Sequence, residues 1–276
     1  MTKINLIVGN PVAHSISPST HNSWYKELGI DIQFWFGAAK VEQEISGEII
    51  LTMKTLNING LAVTHPYKEI IIPQLDKLDK VAEIIGAVNT VINVDGICTG
   101  YNTDWLGILM PIANLFAVKE LDINNPKEFL KNKKVVILGA GGAAKAASYA
   151  VLQAGGELAI LNRTIEKAEK IKENLVKNFP QSKINIGSLD DKVKIEMADI
   201  IINCTSVGLL DSENCPIDTK SLNSNQIVFE TIYNPAETKL IQEAKKLECK
   251  MILGKEMFLF QAKFQFELMT GLTKTI

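Results

Sequence analysis

The fold is decided by residues 135–144, which read Val135-Val136-Ile137-Leu138-Gly139-Ala140-Gly141-Gly142-Ala143-Ala144. An apolar run ends in a glycine-rich turn and leads into small residues. This matches the dinucleotide-binding fingerprint G-x-G-x-x-G/A, with Ala144 in the third small position. Gly139 allows the tight turn, Gly141 lets the backbone approach a pyrophosphate, and Ala144 lets a helix pack closely on its strand. The stretch therefore predicts the opening strand, turn and helix of a doubly wound parallel sheet.

The residues after the next predicted strand indicate which dinucleotide binds. The run Leu158–Leu161 is followed by Asn162-Arg163-Thr164, where NAD-binding sites place an Asp or Glu against the ribose 2′-hydroxyl. A cation with two neutral hydrogen-bonding residues suits a 2′-phosphate instead, so the expected cofactor is NADP(H). Since any strand–glycine–helix turn can imitate the fingerprint, a tight turn without a ligand stays as the alternative.

The composition is that of an ordinary globular protein. The 276 residues suffice for two domains, 46% are hydrophobic, 22% are charged, and the formal net charge is −2. With this charge balance we expect no excess of positive charge that would attract nucleic acid or a membrane surface. No apolar run reaches the length of a membrane span, and the N-terminal sequence lacks a signal-peptide pattern. We therefore expect a cytoplasmic protein. The sequence leaves its oligomeric state open between a monomer and a homodimer.

Cysteine and histidine usage bears on redox state and metals. The four cysteines are scattered without a C-x-x-C pair, which is typical of free thiols in a reducing compartment. With three histidines in the whole chain, a multi-histidine metal site is not expected.

The order of predicted elements indicates an α/β fold with two units. In the first half we predict strands at Ile4–Val8 and Leu61–Thr64, a helical stretch at 41–57 and a helix over Pro66–Ile72. Further expected elements are a helix at Pro18–Leu28, a hairpin turning at Asp95-Gly96, a bridging helix at Trp105–Phe116 and a polar loop at 122–127. Beyond residue 134 strands and helices alternate, which predicts the parallel doubly wound sheet, and a final amphipathic helix covers 255–272.

Four polar clusters interrupt the apolar pattern of the first half. Ser15 and Ser17 precede a predicted helix, where they either bind an oxygen-rich ligand or cap the helix through Ser17. Lys68 falls on the first turn of a predicted helix, where the dipole disfavours a cation, so it has another use or is an exposed surface lysine. Asn89 is a candidate ligand contact or a structural amide, and Asp104 is a candidate site residue or a helix N-cap.

Taken together, these segments resemble the shikimate dehydrogenase family along nearly the whole chain. The matching segments are 9–11 with 14–18 and 21–22, 63–69, 86–90, 102–104, the glycine turn with 162–164, 203–208, 233–235 with Thr238, and 254–261.

The resemblance implies a function and a set of site residues. It implies NADP-dependent interconversion of 3-dehydroshikimate and shikimate on the route to aromatic amino acids, with Lys68 and Asp104 as the catalytic pair. Substrate contacts are implied for Ser15, Ser17, Thr64, Lys68, Asn89, Asp104, Tyr233 and Gln261. Cofactor contacts are implied for Gly139, Ala140, Gly141, Gly142, Ala143, Asn162, Arg163, Thr164, Lys167, Thr205, Thr231, Gly254 and Met257.

The same resemblance implies two domains that meet at a substrate cleft. Residues 1–104, completed by the C-terminal helix 255–276, are expected to form the substrate-binding domain. Residues 105–254 are expected to form the Rossmann-type NADP domain.

Three departures from the family pattern bear on substrate breadth. Trp105 stands where the family has Gly, Leu61-Ala62 replaces a usual Asn, and Glu230 replaces a usual Asp, with Thr231 at an often apolar position. The alternatives are a quinate/shikimate dehydrogenase with broader substrate or cofactor choice, and a non-catalytic nucleotide-binding relative.

Overall fold

The chain forms two compact units in the computed structural model, which describes residues 2–119, 121–123, 126 and 128–276. The first unit comprises Met1–Thr103 and Gln261–Ile276, and the second comprises Asp104–Phe260. Part of the loop predicted at 122–127 lies outside the described residues. No helix in the described part of the chain is long and apolar enough to cross a membrane.

A mixed six-stranded sheet forms the first unit. Its strands are β1 (Lys3–Gly9), β2 (Phe34–Lys40), β3 (Gly60–Val63), β4 (Lys77–Leu78), β5 (Thr90–Val94) and β6 (Ile97–Tyr101), and its helices before the chain enters the second unit are α1 (Ser17–Glu27), α2 (Ile49–Thr55) and α3 (Lys80–Ile85). The strand order is β2-β1-β3-β5-β6-β4. Strand β1 is parallel to both its neighbours, and β5 is antiparallel to β3 and β6.

Local sequence explains the ends of several of these elements. Asp95 and Gly96 join β5 to β6 with positive φ angles of 52° and 84°, as a two-residue hairpin requires, so the predicted hairpin is confirmed. The Asp79 side chain accepts a hydrogen bond from the Val81 N–H and caps α3, which ends at Gly86 with a φ of 68°.

Two predicted helices in this unit were wrong. At 41–57 the chain forms a 3-10 helix, Gln43–Glu48, followed by the separate helix α2, because Ser46-Gly47 interrupts the pattern and Ser46 Oγ bonds to the Gln43 carbonyl at 2.7 Å. At 65–71 the chain forms successive turns before a short 3-10 helix, Ile72–Gln74.

The turn at 65–71 follows from where hydrogen bonds can form. The N–H groups of Tyr67 and Ile72 bond three residues back, to Thr64 and Glu69, at 2.9 and 3.2 Å. Proline at both 66 and 73 removes two donors that a helix would need. Lys68 therefore does not sit on a helix, and the dipole argument for its having a special use does not apply.

The second unit is the predicted parallel sheet, built from β7 (Lys134–Leu138), β8 (Glu157–Leu161), β9 (Ile184–Gly187), β10 (Ile200–Asn203), β11 (Ile227–Glu230) and β12 (Lys250–Ile252). Its helices are α4 (Asp104–Leu115), α5 (Gly142–Gln153), α6 (Ile165–Val176), α7 (Lys192–Glu196), α8 (Lys239–Lys246) and α9 (Gly254–Thr270), whose last part belongs to the first unit. The order β12-β11-β10-β7-β8-β9 reverses direction between β7 and β10. Ligands of doubly wound sheets bind at the carboxyl ends of strands beside such a reversal.

Candidate active site

Sheet topology brings the polar clusters of the first unit to one edge. Strands β1 and β3 are parallel and end at Gly9 and Val63, so the segments after them leave the sheet on the same side. Antiparallel β5 begins at that side, since Thr90 pairs with Ala62, and β6 ends there, since Tyr101 pairs with Thr90. The segments 10–17, 64–68, 86–89 and 102–103 therefore share this edge, which we call the first polar edge.

Ser15 and Ser17 lie together at the start of α1. Their Oγ atoms are 3.2 Å apart, and the Ser17 N–H also donates to the Ser15 Oγ at 3.2 Å. The N-cap position is Ile16, whose side chain makes no capping hydrogen bond, and Ser17 is the first residue of the helix. Ser17 is buried yet does not cap α1, so the capping alternative was wrong for Ser17.

Backbone hydrogen bonds hold the segment that carries Thr64 and Lys68. The Asn10 N–H donates to the His65 carbonyl at 3.0 Å, and the Lys68 carbonyl accepts from the Val88 N–H at 2.8 Å. A Cβ added at Gly9 would lie 2.3 Å from Thr64 Cγ2, so the turn after β1 can approach Thr64 only as glycine. Lys68 is half-buried and sits on a fixed backbone.

Asn89 anchors the segment that precedes Asp104. Its amide donates to Thr103 Oγ1 at 2.9 Å, and its oxygen accepts from the Thr103 N–H at 2.8 Å and from the Thr90 hydroxyl at 2.9 Å. Asn102 donates to the Ala87 carbonyl at 2.8 Å. These contacts support the structural-amide interpretation of Asn89, and they fix the chain up to Thr103. Asp104, which follows, is 4% exposed and opens α4.

The structure adds Gln265, which sequence reasoning missed. Its amide donates to the Asn89 carbonyl and to Thr90 Oγ1, both at 3.0 Å. Gln261 is four residues earlier on α9, hence on the same helix face, one turn nearer the helix start. The four-residue spacing of the two glutamines was the sequence signal that could have identified Gln265. It places the predicted substrate residue Gln261 on the helix that contacts Asn89.

The glycine turn of the second unit has the geometry of an anion-binding loop. Gly139 follows β7 with a φ of 106°, Gly141 is the N-cap of α5, and Ala144 is fully buried on that helix. A Cβ added at Gly141 would meet no atom within 4 Å. The turn therefore leaves open space where the N–H groups of the first helical turn, including those of Gly142 and Ala143, emerge.

The basic end of β8 lies beside this turn. The Gly139 N–H donates to the Leu161 carbonyl at 2.8 Å, so the residues after Leu161 start next to the glycine turn. Asn162 Nδ2 donates to the Thr164 carbonyl at 2.8 Å, which shapes the segment around Arg163. The side chains of Arg163 and Lys167 are exposed, and Arg163 is the only arginine of the chain.

Thr205 and Thr231 follow the neighbouring strands β10 and β11. A Cβ at Gly139 would come within 3.2 Å of Thr205 Cγ2, so the two turns are in contact. The Thr231 hydroxyl donates to the Asn203 carbonyl at 2.7 Å. Both predicted cofactor residues therefore lie at the carboxyl ends of strands on the β10 side of the glycine turn.

The start of α9 packs on the chain after β11. A Cβ at Gly254 would lie 2.3 Å from the Ile232 carbonyl oxygen and 2.8 Å from the Tyr233 nitrogen. The Tyr233 ring lies against Phe258, with ring centroids 5.4 Å apart. Gly254 and buried Met257 thus belong to one surface with Tyr233.

Comparisons with known proteins agree with this geometry. Residues 7–91 match the family model described as the shikimate dehydrogenase substrate binding domain, and residues 123–245 match that of shikimate / quinate 5-dehydrogenase. The chain belongs to the shikimate dehydrogenase family. A curated relative, the NADP(+) shikimate dehydrogenase of Methanosphaera stadtmanae, is 39% identical over 99% of this chain and 93% of its own length.

Solved structures of the family have the same fold. Shikimate dehydrogenase from Aquifex aeolicus has a TM-score of 0.85 at 33% identity, covering 99% of this chain and 94% of that one. The Thermus thermophilus enzyme in complex with NADP(H) and shikimate has a TM-score of 0.85 at 29% identity, covering 99% of this chain and 95% of that one. The predicted two-domain α/β fold with a Rossmann-type unit is confirmed.

The structure shows what surrounds two of the departures from the shikimate dehydrogenase pattern. Trp105 is buried on α4 and meets Tyr149 of α5 edge-to-face, with ring centroids 5.3 Å apart, so its indole packs the interior of the second unit. Leu61 lies in the core cluster of the first unit, and Ala62 is buried in the middle of its sheet. The third departure, Glu230, is a fully buried carboxylate.

Proposed function

We propose that this protein catalyses the reversible, NADPH-dependent reduction of 3-dehydroshikimate to shikimate, a step of aromatic amino-acid biosynthesis. One observation carries the proposal: the first polar edge gathers Ser15, Ser17, Thr64, Lys68 and Asn89 from separate segments of the chain. A set of hydroxyls, an amide and an ammonium suits a polyol that bears a carboxylate. The names of the family's curated relatives point to the same substrate and to NADP(+).

The second unit would hold the cofactor. The open space at Gly141 fits a pyrophosphate, which the N–H groups at the start of α5 would bind. Arg163, with Asn162, Thr164 and Lys167, would bind the 2′-phosphate, since a guanidinium forms paired hydrogen bonds with phosphate oxygens. When bound, NADPH supplies the hydride.

Lys68 and Asp104 would carry the proton chemistry. Reduction of the ring ketone places a negative charge on oxygen, which an ammonium neutralises by donating a proton or by direct electrostatic stabilisation. Asp104 would hold the Lys68 ammonium and a substrate hydroxyl in place. Ser15, Ser17, Thr64, Asn89, Tyr233 and Gln261 would bind the carboxylate and hydroxyls of the substrate.

We further propose that residues 1–104 with 255–276 are the substrate-binding domain and residues 105–254 the NADP domain, in a cytoplasmic enzyme. The four cysteines form no disulfide, which agrees with a reducing compartment. A monomer or a homodimer is compatible with this assignment.

The test is a panel of shikimate and quinate against NADP⁺ and NAD⁺, followed by the absorbance of the reduced nicotinamide. We expect the highest kcat/KM for shikimate with NADP⁺. Comparable values for quinate or NAD⁺ would establish the broader dehydrogenase instead. A folded protein that turns over none of the four pairs would overturn the proposal in favour of a non-catalytic nucleotide-binding relative.

A further inference from the structure

Glu230 is a buried carboxylate at the carboxyl end of β11 that the proposed chemistry does not use. It is 0% exposed, and burial raises the pKa of its carboxyl because the charged form loses its hydration. Four donating groups oppose that shift, the Thr231 N–H among them. Asn203 Nδ2 lies 3.0 Å from both carboxylate oxygens, the Ile232 N–H is 3.1 Å from Oε1, and the Thr238 hydroxyl is 2.8 Å from Oε2.

The contact with Asn203 extends to the turn that follows β10. Asn203 Oδ1 accepts from both the N–H and the hydroxyl of Thr205, at 3.0 and 2.7 Å. The Thr205 hydroxyl in turn accepts from the Val207 N–H at 3.2 Å. Since Glu230 holds the amide end of Asn203, it fixes which way the oxygen end faces. We call residues 204–208 the β10 turn.

The other two contacts extend to the loop that follows β11, residues 231–238, which we call the β11 loop. Ile232 lies near its start and Thr238 at its end, where Thr238 also caps α8 through the Ile241 N–H. Glu230 therefore binds both ends of the loop that carries Thr231 and Tyr233. One carboxylate thus joins the two segments on the β10 side of the glycine turn.

We propose that Glu230 is a positioning residue that sets the β10 turn and the β11 loop in the arrangement that receives the dinucleotide. The inference rests on the proposed function for its ligand, NADP⁺, but its geometric part concerns the ligand-free chain. A carboxylate is suited to this place because all its partners donate and it can only accept. The substitution of Glu for the family's usual Asp adds one methylene to the reach of this acceptor.

Two substitutions remove the hydrogen-bond acceptors of Glu230 to different extents. Glu230→Gln keeps the shape but turns one acceptor into a donor, which the Thr238 hydroxyl can accommodate by reversing its own hydrogen bond. Glu230→Met keeps the length and removes every acceptor, which frees Asn203 and both ends of the loop. The effect should therefore grow from Gln to Met.

Gln226→Met is the matched control. Gln226 is 1% exposed and lies just before the other end of the same strand. It donates to the Ile195 carbonyl at 2.6 Å and accepts from the Asn223 N–H at 3.0 Å. The control removes a buried hydrogen-bonded side chain from the same unit, away from the two segments in question.

The experiment measures amide hydrogen exchange of the ligand-free variants and the Kd for NADP⁺ by titration calorimetry. For Glu230→Met we expect faster exchange confined to residues 204–208 and 231–238. We also expect a Kd higher by on the order of tenfold or more, since misplacing supporting groups by about 1 Å has effects of that size. Glu230→Gln should give a smaller change in the same direction, and Gln226→Met should leave the Kd near the wild-type value.

Two results would overturn the inference: wild-type Kd and exchange in Glu230→Met, or an equal rise in Kd in Gln226→Met at equal thermal stability. If Glu230→Met does not fold, the isosteric Gln variant decides by the same criteria. A wild-type protein that binds no NADP⁺ would refute the proposed function, and exchange of the two segments would then decide whether Glu230 holds them.

Discussion

Lowering the pH should destabilise the first unit through one buried histidine, His21. The ring is fully buried, stacks on Phe36 at 4.3 Å between centroids, and has no hydrogen-bond partner for either nitrogen among the described residues. Burial lowers the pKa of His21 from 6.5 to about 3, because a charged imidazole would lose its hydration without gaining a partner. The folded protein therefore keeps His21 neutral over a range in which the unfolded chain protonates it.

The sign and size of the effect follow from this difference. The unfolded state binds more protons below pH 6.5, so the free energy of unfolding falls as the pH is lowered. The stability that depends on neutral His21 is fully present only above that pH. The slope is about 1.4 kcal/mol per pH unit between the two pKa values. From about pH 7.5 to pH 5, His21 alone should lower the free energy of unfolding by about 2 kcal/mol.

The assay is denaturant unfolding at several pH values, followed by tryptophan fluorescence. Trp24, whose ring centroid lies 5.6 Å from that of His21, reports on the same cluster. His21→Phe keeps the aromatic stack without a titrating group, so its stability should fall less with acid than that of the wild type, by the same 2 kcal/mol or so. His14→Gln, at an exposed position, controls for the loss of a histidine as such. Equal pH dependence in His21→Phe and wild type, or NMR titration of the His21 ring near pH 6.5 in the folded protein, would refute the reasoning.

Three further predictions concern the proposed site. Arg163→Ala should raise the KM for NADP⁺ by roughly 10- to 100-fold and change the KM for NAD⁺ little, because the paired contact with the 2′-phosphate is worth about 1.5–3 kcal/mol. Arg163→Lys should have a KM for NADP⁺ between those of Arg163→Ala and the wild type. Equal losses with both cofactors would contradict this prediction. Ser17→Ala should raise the KM for shikimate with little change in kcat, and the melting temperature should fall by less than a lost helix cap would cause, since Ser17 caps nothing. Lys68→Ala should lower kcat by roughly 10²- to 10⁴-fold while NADP⁺ still binds. Asp104→Asn should also slow turnover, and the double variant should be no slower than the worse single one; near-normal kcat in Lys68→Ala would exclude the proposed proton chemistry.

Features that depend on residues close together in the chain could be predicted from the amino-acid sequence. The strand, glycine turn and helix at 134–153 were predictable because each step is local: an apolar run, a residue with positive φ at Gly139, and small residues that allow close packing. The hairpin at Asp95-Gly96 was predictable for the same reason. Local patterns failed at 65–71, where proline positions and isolated hydrogen bonds outweighed a plausible helical spacing.

The side-chain environments were decided only by the tertiary structure. Sequence left two explanations each for Ser17 and Asn89, and it identified Glu230 only as a departure from the family pattern. The choice depended on partners far along the chain: Asn89 bonds to Thr103, and Glu230 bonds to Asn203. Strand order, which pairs residues dozens of positions apart, brings such partners together, and no local propensity encodes it. Sequence alone thus predicted the fold class and the candidate residues, whereas the tertiary structure showed that Ser17 is not a helix cap, that Asn89 holds Thr103, and that Glu230 is a buried carboxylate bonded to Asn203.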